Sequence, residues 1–221
     1  MDKHLFLFGG VPPFTLHMAK KFVEAASKTK APVVLLFVER DGWEQFIPLY
    51  TQALEEWGLR AFNYLPLPST PVEKAIDAIK NSSGIIIGGG DTNLYADYIV
   101  ETPISNALKE SYESGIPIAG FSAGALIIPE WCIISPNDNA QGEFQLRKGL
   151  GLLSDVLIAV HFTQWNDEAH LRSAVGTFPN HSNYGIDENA CLYFRNGQLE
   201  ATEGNGVYSL EKGVLKRVDP S

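Results

Sequence analysis

Short apolar runs rich in β-branched and aromatic residues alternate along this chain with stretches of helical period. The runs "LFLFGG", "VVLLFVE", "AFNYLPL", "GIIIGGG", "PIAGFS" and "VLIAVHF" are bounded by glycine, proline or polar residues and read as strands. Between them, Ala19, Phe22, Val23 and Ala26 follow the 3, 4, 7 spacing of one buried helical face. Trp43, Phe46, Ile47, Tyr50, Leu54 and Trp57 do the same, closed by Gly58. Thr70 before Pro71 predicts a third helix with Thr70 as its N-cap, and residues 103–114 a fourth, stopped by Gly115. Strands alternating with helices predict an α/β fold on a mostly parallel sheet. The end of the chain changes character: "YGIDENACLYFRNGQLEATEGNGVYSLEKGVLKRV" predicts short strands joined by "NG", "GNG" and "EKG" turns, an antiparallel meander on the sheet edge.

Composition narrows the picture. With 221 residues, 45% of them hydrophobic, residues 1–221 can bury a core as one α/β domain. A net charge of -9 without a Lys/Arg cluster gives no footprint for nucleic acid or an anionic membrane. "MDKHLFLFGG" lacks signal-peptide architecture and no later run reaches spanning length, so a cytoplasmic protein is expected. Cys132 and Cys191 sit in apolar surroundings and read as small buried hydrophobes. The five histidines, at positions 4, 17, 161, 170 and 181, show no HExxH or other tight ligand spacing, so neither a metal site nor a cofactor is expected. A homodimer is compatible with this composition, which sets no oligomeric state.

Chemistry enters at "GIPIAGFSAGALII", residues 115–128, where a buried strand stops at a small-Ser-small cluster. A nucleophile elbow requires that pattern: a serine on a sharp strand-to-helix turn, with small residues two positions either side so that the two arms can approach. Ser122 is the candidate nucleophile, and the Ala123 N–H, at the start of the next helix, a candidate oxyanion donor. A glycine-serine turn also occurs in ordinary connections, so the base decides. His161 ends "VLIAVHF", at the carboxyl end of a strand, where sites gather in open α/β sheets. For the carboxylate that orients it, Asp138 in "ISPNDNA" leads, with Glu143 and Asp155 as rivals. "GIIIGGGDTN" repeats the strand-then-glycine pattern without GxGxxG or GxxxxGK[ST]; it reads as a turn plus N-cap whose Gly90 N–H is the second oxyanion donor.

Taken together, GGGDT, GFSAGA and HF, with their spacing, resemble the serine peptidases of the dipeptidase E and cyanophycinase family over residues 84–194. "GLGLLSDVLIAVHFTQ" and "YGIDENACLYF" are further matching stretches. The resemblance implies a flavodoxin-like, glutamine-amidotransferase-like three-layer α/β sandwich. It implies Ser122 as nucleophile, His161 as general base and acid, and Gly90 and Ala123 as oxyanion donors. Asp138 would be the third member, with Glu143 as the fallback for the glutamate of cyanophycinases. Asp91, Thr92, Gln164 and Trp165, within the same motifs, are the candidate substrate-binding residues. The chain departs from the family after the histidine: "HFTQWNDEAHLRSAV" places Trp165, Asp167 and His170 where arginines would stand, so specificity is expected to have moved.

The expected activity is hydrolysis of peptide or isopeptide bonds in small peptides, Asp-containing ones among them, through an acyl-enzyme. Two alternatives stay open, a catalytically silent binding protein and an esterase or amidase. A glutamine-amidotransferase role is disfavoured because Ser122 stands where that chemistry uses cysteine.

Overall fold

Residues 1–218 are described in the computed structural model of the chain. The first half winds through β1 (His4–Phe8), α1 (Leu16–Ala26), β2 (Val33–Val38), α2 (Ile47–Glu56), β3 (Phe62–Leu67), α3 (Val72–Lys80) and β4 (Gly84–Ile87). A single helical turn α4 (Thr92–Tyr95) follows, then α5 (Ile104–Glu113), β5 (Ile118–Phe121), a second short turn α6 (Ala123–Leu126) and the hairpin β6 (Trp131–Ile134) and β7 (Gln145–Lys148). The remainder is β8 (Val156–Val160), α7 (Glu168–Thr177), β9 (Ser182–Ile186), β10 (Cys191–Arg195), β11 (Gln198–Glu203), β12 (Val207–Glu211) and β13 (Val214–Arg217).

Seven strands form the central sheet in the order β11-β10-β1-β5-β4-β2-β3. The five from β1 to β3 are parallel, and β10 joins β1 antiparallel with His4 opposite Arg195 and Phe8 opposite Cys191. Residue alternation divides the core into two layers, because successive side chains on a strand face opposite sides. Leu5, Leu7, Val34, Leu36, Ile85, Ile87 and Ile118 share one apolar layer with α3 and α5. Phe6, Phe8, Val33, Leu35, Phe37, Ile86 and Phe121 share the other with α1 and α2. Strands buried on both faces read as unbroken apolar runs, as parallel strands between helices do.

The expected helices are present, with displaced ends. The second begins as a 3-10 turn, Trp43–Phe46, before α2. Phe46 and Trp57 are exposed, so the buried face is shorter than the periodicity implied. Pro71, with extended ψ of 140°, occupies the N-cap of α3 that was expected of Thr70, and no side chain caps it.

The larger departure concerns "VLIAVHF" and the C-terminal strands. β8 does not join the central sheet; it lies in a second, four-stranded sheet ordered β13-β12-β9-β8. One face of β8 (Val156, Ile158, Val160) packs into the layer of α3 and α5, and the other (Leu157, Ala159) packs with α7 residues Leu171 and Ala174. The expected edge meander is therefore split. The β10–β11 hairpin extends the central sheet, β12–β13 extends the second, and β9 pairs parallel with β8 and antiparallel with β12. Turn chemistry predicts hairpins correctly, since Gly197 and Gly213 both have positive φ, but carries no information on which sheet each hairpin joins.

Candidate active site

The site lies at the carboxyl ends of β1, β2, β4 and β5, the edge where open α/β sheets gather their ligands. Directly after β5, Ser122 has φ 48° and ψ -113°, a conformation that L residues rarely adopt and that the surroundings must enforce. They do so from three sides. Its N–H donates to the Phe8 carbonyl at 3.0 Å, while its own carbonyl accepts from Ala125 and Leu126 at 2.9 Å. Beneath it, Phe121 stacks on Phe8 with ring centroids 4.3 Å apart and meets Phe14 and Tyr50 edge-on. The glycines two positions either side are sterically required: a Cβ on Gly120 would lie 2.5 Å from the Gly124 carbonyl oxygen, and one on Gly124 2.3 Å from that of Ile87. The elbow expected from GFSAGA is thus present, although α6 is only one turn long and its macrodipole correspondingly small.

Ser122 Oγ lies 2.9 Å from His161 Nε2, and both residues are buried. His161 follows β8, also with positive φ (47°), and its N–H donates to the Gly9 carbonyl at 2.7 Å. The two sheets meet through this contact. The Trp165 ring stacks on the imidazole, centroids 4.3 Å apart and planes inclined by 23°.

The carboxylate at His161 Nδ1 is Glu188, at 2.8 Å, and not the expected Asp138. The reason lies in strand pairing. β8 and β9 run parallel with Val160 opposite Ile186, so the residues just past each strand emerge side by side. Around Glu188, its N–H donates to Gln164 Oε1 at 3.2 Å, Asp187 accepts from the Thr163 N–H at 2.8 Å, and Gly10 packs so closely that a Cβ there would lie 2.5 Å from the Glu188 Cα. Asp138 instead accepts from the Thr92 hydroxyl, and burial, with Asp91 and Asp167 nearby, raises its pKa to about 6 against the hydrogen bond from Thr92. Glu143, the fallback, is exposed. Sequence reasoning passed over Glu188 because it looked in the loop after the elbow. The available signal was the Asp187-Glu188 pair within "YGIDENACLYF", just past the apolar end of a strand, in a stretch already singled out.

The other expected site residues are distributed unevenly. Gly89 is clamped between two tyrosines: its N–H donates to Tyr50 Oη and its carbonyl accepts from Tyr95 Oη, each at 3.0 Å. This fixes the turn that carries Gly90 into a cavity of about 310 Å³, whose wall also includes Ser122 and His161. Trp165 lines the same cavity and Thr92 supports Asp138 from beneath. Asp91 is exposed and caps α4 through the Leu94 N–H at 3.2 Å, and Gln164 is engaged with Glu188, so neither lines the cavity. Asp167 is buried, accepting from Ser135 Oγ at 2.9 Å and Asn137 Nδ2 at 3.1 Å, and it ties the loop of Asp138 to the segment after His161. His170 is buried beside the Phe144 ring. The remaining cavity wall is Val11, Pro12, Phe46, Leu49, Tyr50, Gly89 and Asp138, together with one cation, Arg40.

Among the described residues, no helix is long and apolar enough to cross a membrane. The chain is 31% identical over 180 residues to the cyanophycinase of Synechococcus elongatus, covering 78% of this chain and 53% of that protein. It is 28% identical over 186 residues to that of Nostoc sp., covering 78% and 58%. It thus spans little more than half the length of these curated relatives. A peptidase from an acI-B1 Actinobacterium has the same fold, with a TM-score of 0.74 at 22% identity, covering 99% of this chain and 94% of that one. The model of peptidase family S51 matches residues 12–202, a span that takes in both glycine turns, Ser122, His161 and Glu188, and the chain belongs to that family.

Proposed function

We propose that the chain is a serine-type peptidase acting on small peptides, with Ser122 as nucleophile, His161 as general base and acid, and Glu188 as the carboxylate that orients His161. The observation that carries this reading is the hydrogen-bonded line from Ser122 Oγ through both imidazole nitrogens to Glu188, set on an elbow with φ 48°. A serine hydroxyl is a weak nucleophile until a base takes its proton, and the base works only when its second nitrogen is held in the right tautomer.

In this mechanism Ser122 Oγ attacks the peptide carbonyl carbon as its proton passes to His161 Nε2. Negative charge collects on the carbonyl oxygen, which the Gly90 and Ala123 N–H groups receive. Collapse of the tetrahedral intermediate breaks the C–N bond, and the leaving amine takes the proton from His161. Water then attacks the acyl-enzyme ester, His161 again accepting the proton, and returns Ser122 with release of the carboxylate. Trp165, stacked on the imidazole, limits its rotation and excludes water from one face.

The test is hydrolysis of a dipeptide library, β-aspartyl members included, by the wild type beside Ser122→Ala, together with labelling by an active-site phosphonate. Expected is a defined set of cleaved dipeptides and a single phosphonylated residue, both lost in Ser122→Ala. Turnover that survives Ser122→Ala removes the assignment.

A further inference from the structure

The glycine turn after β4 has its first backbone polar groups engaged and the next one free. The Gly88 N–H donates to the Leu36 carbonyl at 2.9 Å, at the end of the β2–β4 ladder. The Gly89 N–H donates to Tyr50 Oη and the Gly89 carbonyl accepts from Tyr95 Oη, each at 3.0 Å. These roles are fixed, because an amide N–H can only donate and a carbonyl can only accept. Among the described residues, the Gly90 N–H has no acceptor, and Gly90 stands on the cavity wall with Ser122. The turn also abuts the elbow: a Cβ on Gly89 would lie 3.4 Å from Ser122 Cβ and 3.3 Å from the Phe121 carbonyl oxygen.

The direction of that free N–H is set from below. The cis bonds among the described residues are those before Pro13 and Pro68, so the Gly89–Gly90 peptide is trans. In a planar trans peptide the C=O and the N–H point opposite ways. Tyr95 is fully buried and does not line the cavity, so a Gly89 carbonyl held on its hydroxyl turns the Gly90 N–H away from the core and toward the cavity. The hydroxyl is itself well anchored. The Tyr95 N–H donates to the Asp91 carbonyl at 3.1 Å, and the Asp91 side chain caps the same turn at the Leu94 N–H. The Tyr95 ring lies against Gly90, where a Cβ would be 3.1 Å from Cε2, and glycine at position 88, whose Cβ would be 3.2 Å from both hydroxyl oxygens, leaves room for the two tyrosines.

We propose that Tyr95 is a positioning residue for the reaction: by donating to the Gly89 carbonyl, its hydroxyl aims the Gly90 N–H at the oxyanion position in front of Ser122 and strengthens it as a donor. The chemical consequence rests on the peptidase reading, while the aiming of the N–H does not. A hydrogen bond received by a carbonyl polarises the N–H of the same peptide unit, an effect that grows where water is excluded. Burial pushes the Tyr95 hydroxyl well above its ordinary pKa, so it keeps the proton it donates at neutral pH. Tyr50 pins the peptide unit before this one, and its hydroxyl acts on the Gly90 N–H only through Gly89.

The experiment uses the full chain with isotope-labelled glycine in three forms: wild type, Tyr95→Phe, and a protein with a fluorinated tyrosine at position 95, which keeps the ring and makes the hydroxyl a stronger donor. Each is treated with diisopropyl fluorophosphate. Ser122 Oγ displaces fluoride from phosphorus, its proton passes to His161, and the phosphoryl oxygen takes the oxyanion position. Expected in Tyr95→Phe are upfield shifts of the Gly89 carbonyl carbon and the Gly90 amide proton, inactivation about 10–100-fold slower, and a displaced phosphorus resonance of the adduct. Losing an oxyanion donor outright costs about 10²–10³-fold, and here the donor is kept but misaimed. The fluorinated protein is expected to move the Gly90 amide proton downfield, an opposite response that a packing role does not give, and it decides the question where Tyr95→Phe fails to fold. A Gly90 amide that neither change moves, or that both move in the same direction, overturns the proposal. So does inactivation of Tyr95→Phe at the wild-type rate, which leaves the peptidase reading standing. A wild type that diisopropyl fluorophosphate does not label at Ser122 removes the peptidase reading, and the glycine spectra still decide whether Tyr95 sets the Gly90 N–H.

Discussion

Glu188 stands at His161 Nδ1, where sequence position suggested Asp138, and the two residues respond differently to substitution. The Glu188 side chain is 41% exposed, so its ion pair with His161 contributes little to stability, and its value lies in holding the imidazole. Glu188→Gln is expected to lower kcat by about 10²–10⁴-fold with Tm nearly unchanged, as removing the orienting charge of a Ser-His-acid line does. Steady-state kinetics beside thermal unfolding checks this, and a kcat within threefold of wild type would return the orienting role to another residue. Asp138 carries the opposite signature. Burial raises its folded pKa to about 6 from an ordinary 3.8, so the folded protein holds this proton more tightly than the unfolded chain. Between those values stability falls as pH rises, and the cost is complete above about 6. Asp138→Asn is therefore expected to stabilise the protein by about 1–2 kcal/mol at pH 7.5, a gain that shrinks through pH 6 and vanishes below about 4. Denaturant midpoints at those pH values decide it.

At the scale of elements, α1 shows how a cap can come from a distant strand. Its N-terminus has no local side-chain cap, and Glu203 at the end of β11 supplies one. The Glu203 carboxylate accepts from Thr15 Oγ1 at 2.6 Å and from the His17 and Met18 N–H groups at 3.2 and 3.1 Å. Burial pushes its pKa up, but these hydrogen bonds outweigh burial and hold it below the ordinary 4.5. The folded pKa being depressed, the contribution is present above about 4.5 and is lost as pH falls through the folded value. Glu203→Gln is expected to cost about 1–2 kcal/mol at pH 7, with the difference closing in acid; equal unfolding midpoints at pH 7 would refute the capping role. The same scale accounts for the mobility of element boundaries between sequence and structure. Apolar period places α1 and α2 correctly, but it does not tell a 3-10 turn from an α-helix; Trp43–Phe46 is a 3-10 turn, and Phe46 lines the cavity rather than the core.

Over the whole molecule, the site exists because two sheets approach along glycine backbones. A Cβ on Gly9 would lie 2.3 Å from the Ile186 carbonyl oxygen, and the Gly9 carbonyl itself accepts from His161 N–H. Gly9→Ala must separate the carboxyl end of β1 from β9 and displace His161 from Ser122. Expected is a loss of about 1–3 kcal/mol in stability but a tenfold or larger fall in kcat/KM, because small misplacement of a base costs far more in rate than in packing. Circular dichroism and kinetics on the same preparation separate the two effects; unchanged kcat/KM would show that the contact does not position His161.

Determined by the sequence alone were the features encoded locally: unbroken apolar runs for strands covered on both faces, helical period for the layers around them, and glycines two positions either side of Ser122 for a turn that only small residues permit. Ser122 and His161 were legible for that reason, each sitting where a strong strand signal stops. Which acid meets His161 was decided by tertiary structure. Nothing between residues 123 and 160 records that β8 leaves the central sheet, and nothing in "YGIDENACLYF" by itself records that β9 lies parallel beside β8. Strand pairing is a contact between distant segments, selected by how apolar faces are jointly buried, and it brought Glu188 to the imidazole while leaving Asp138 facing the cavity.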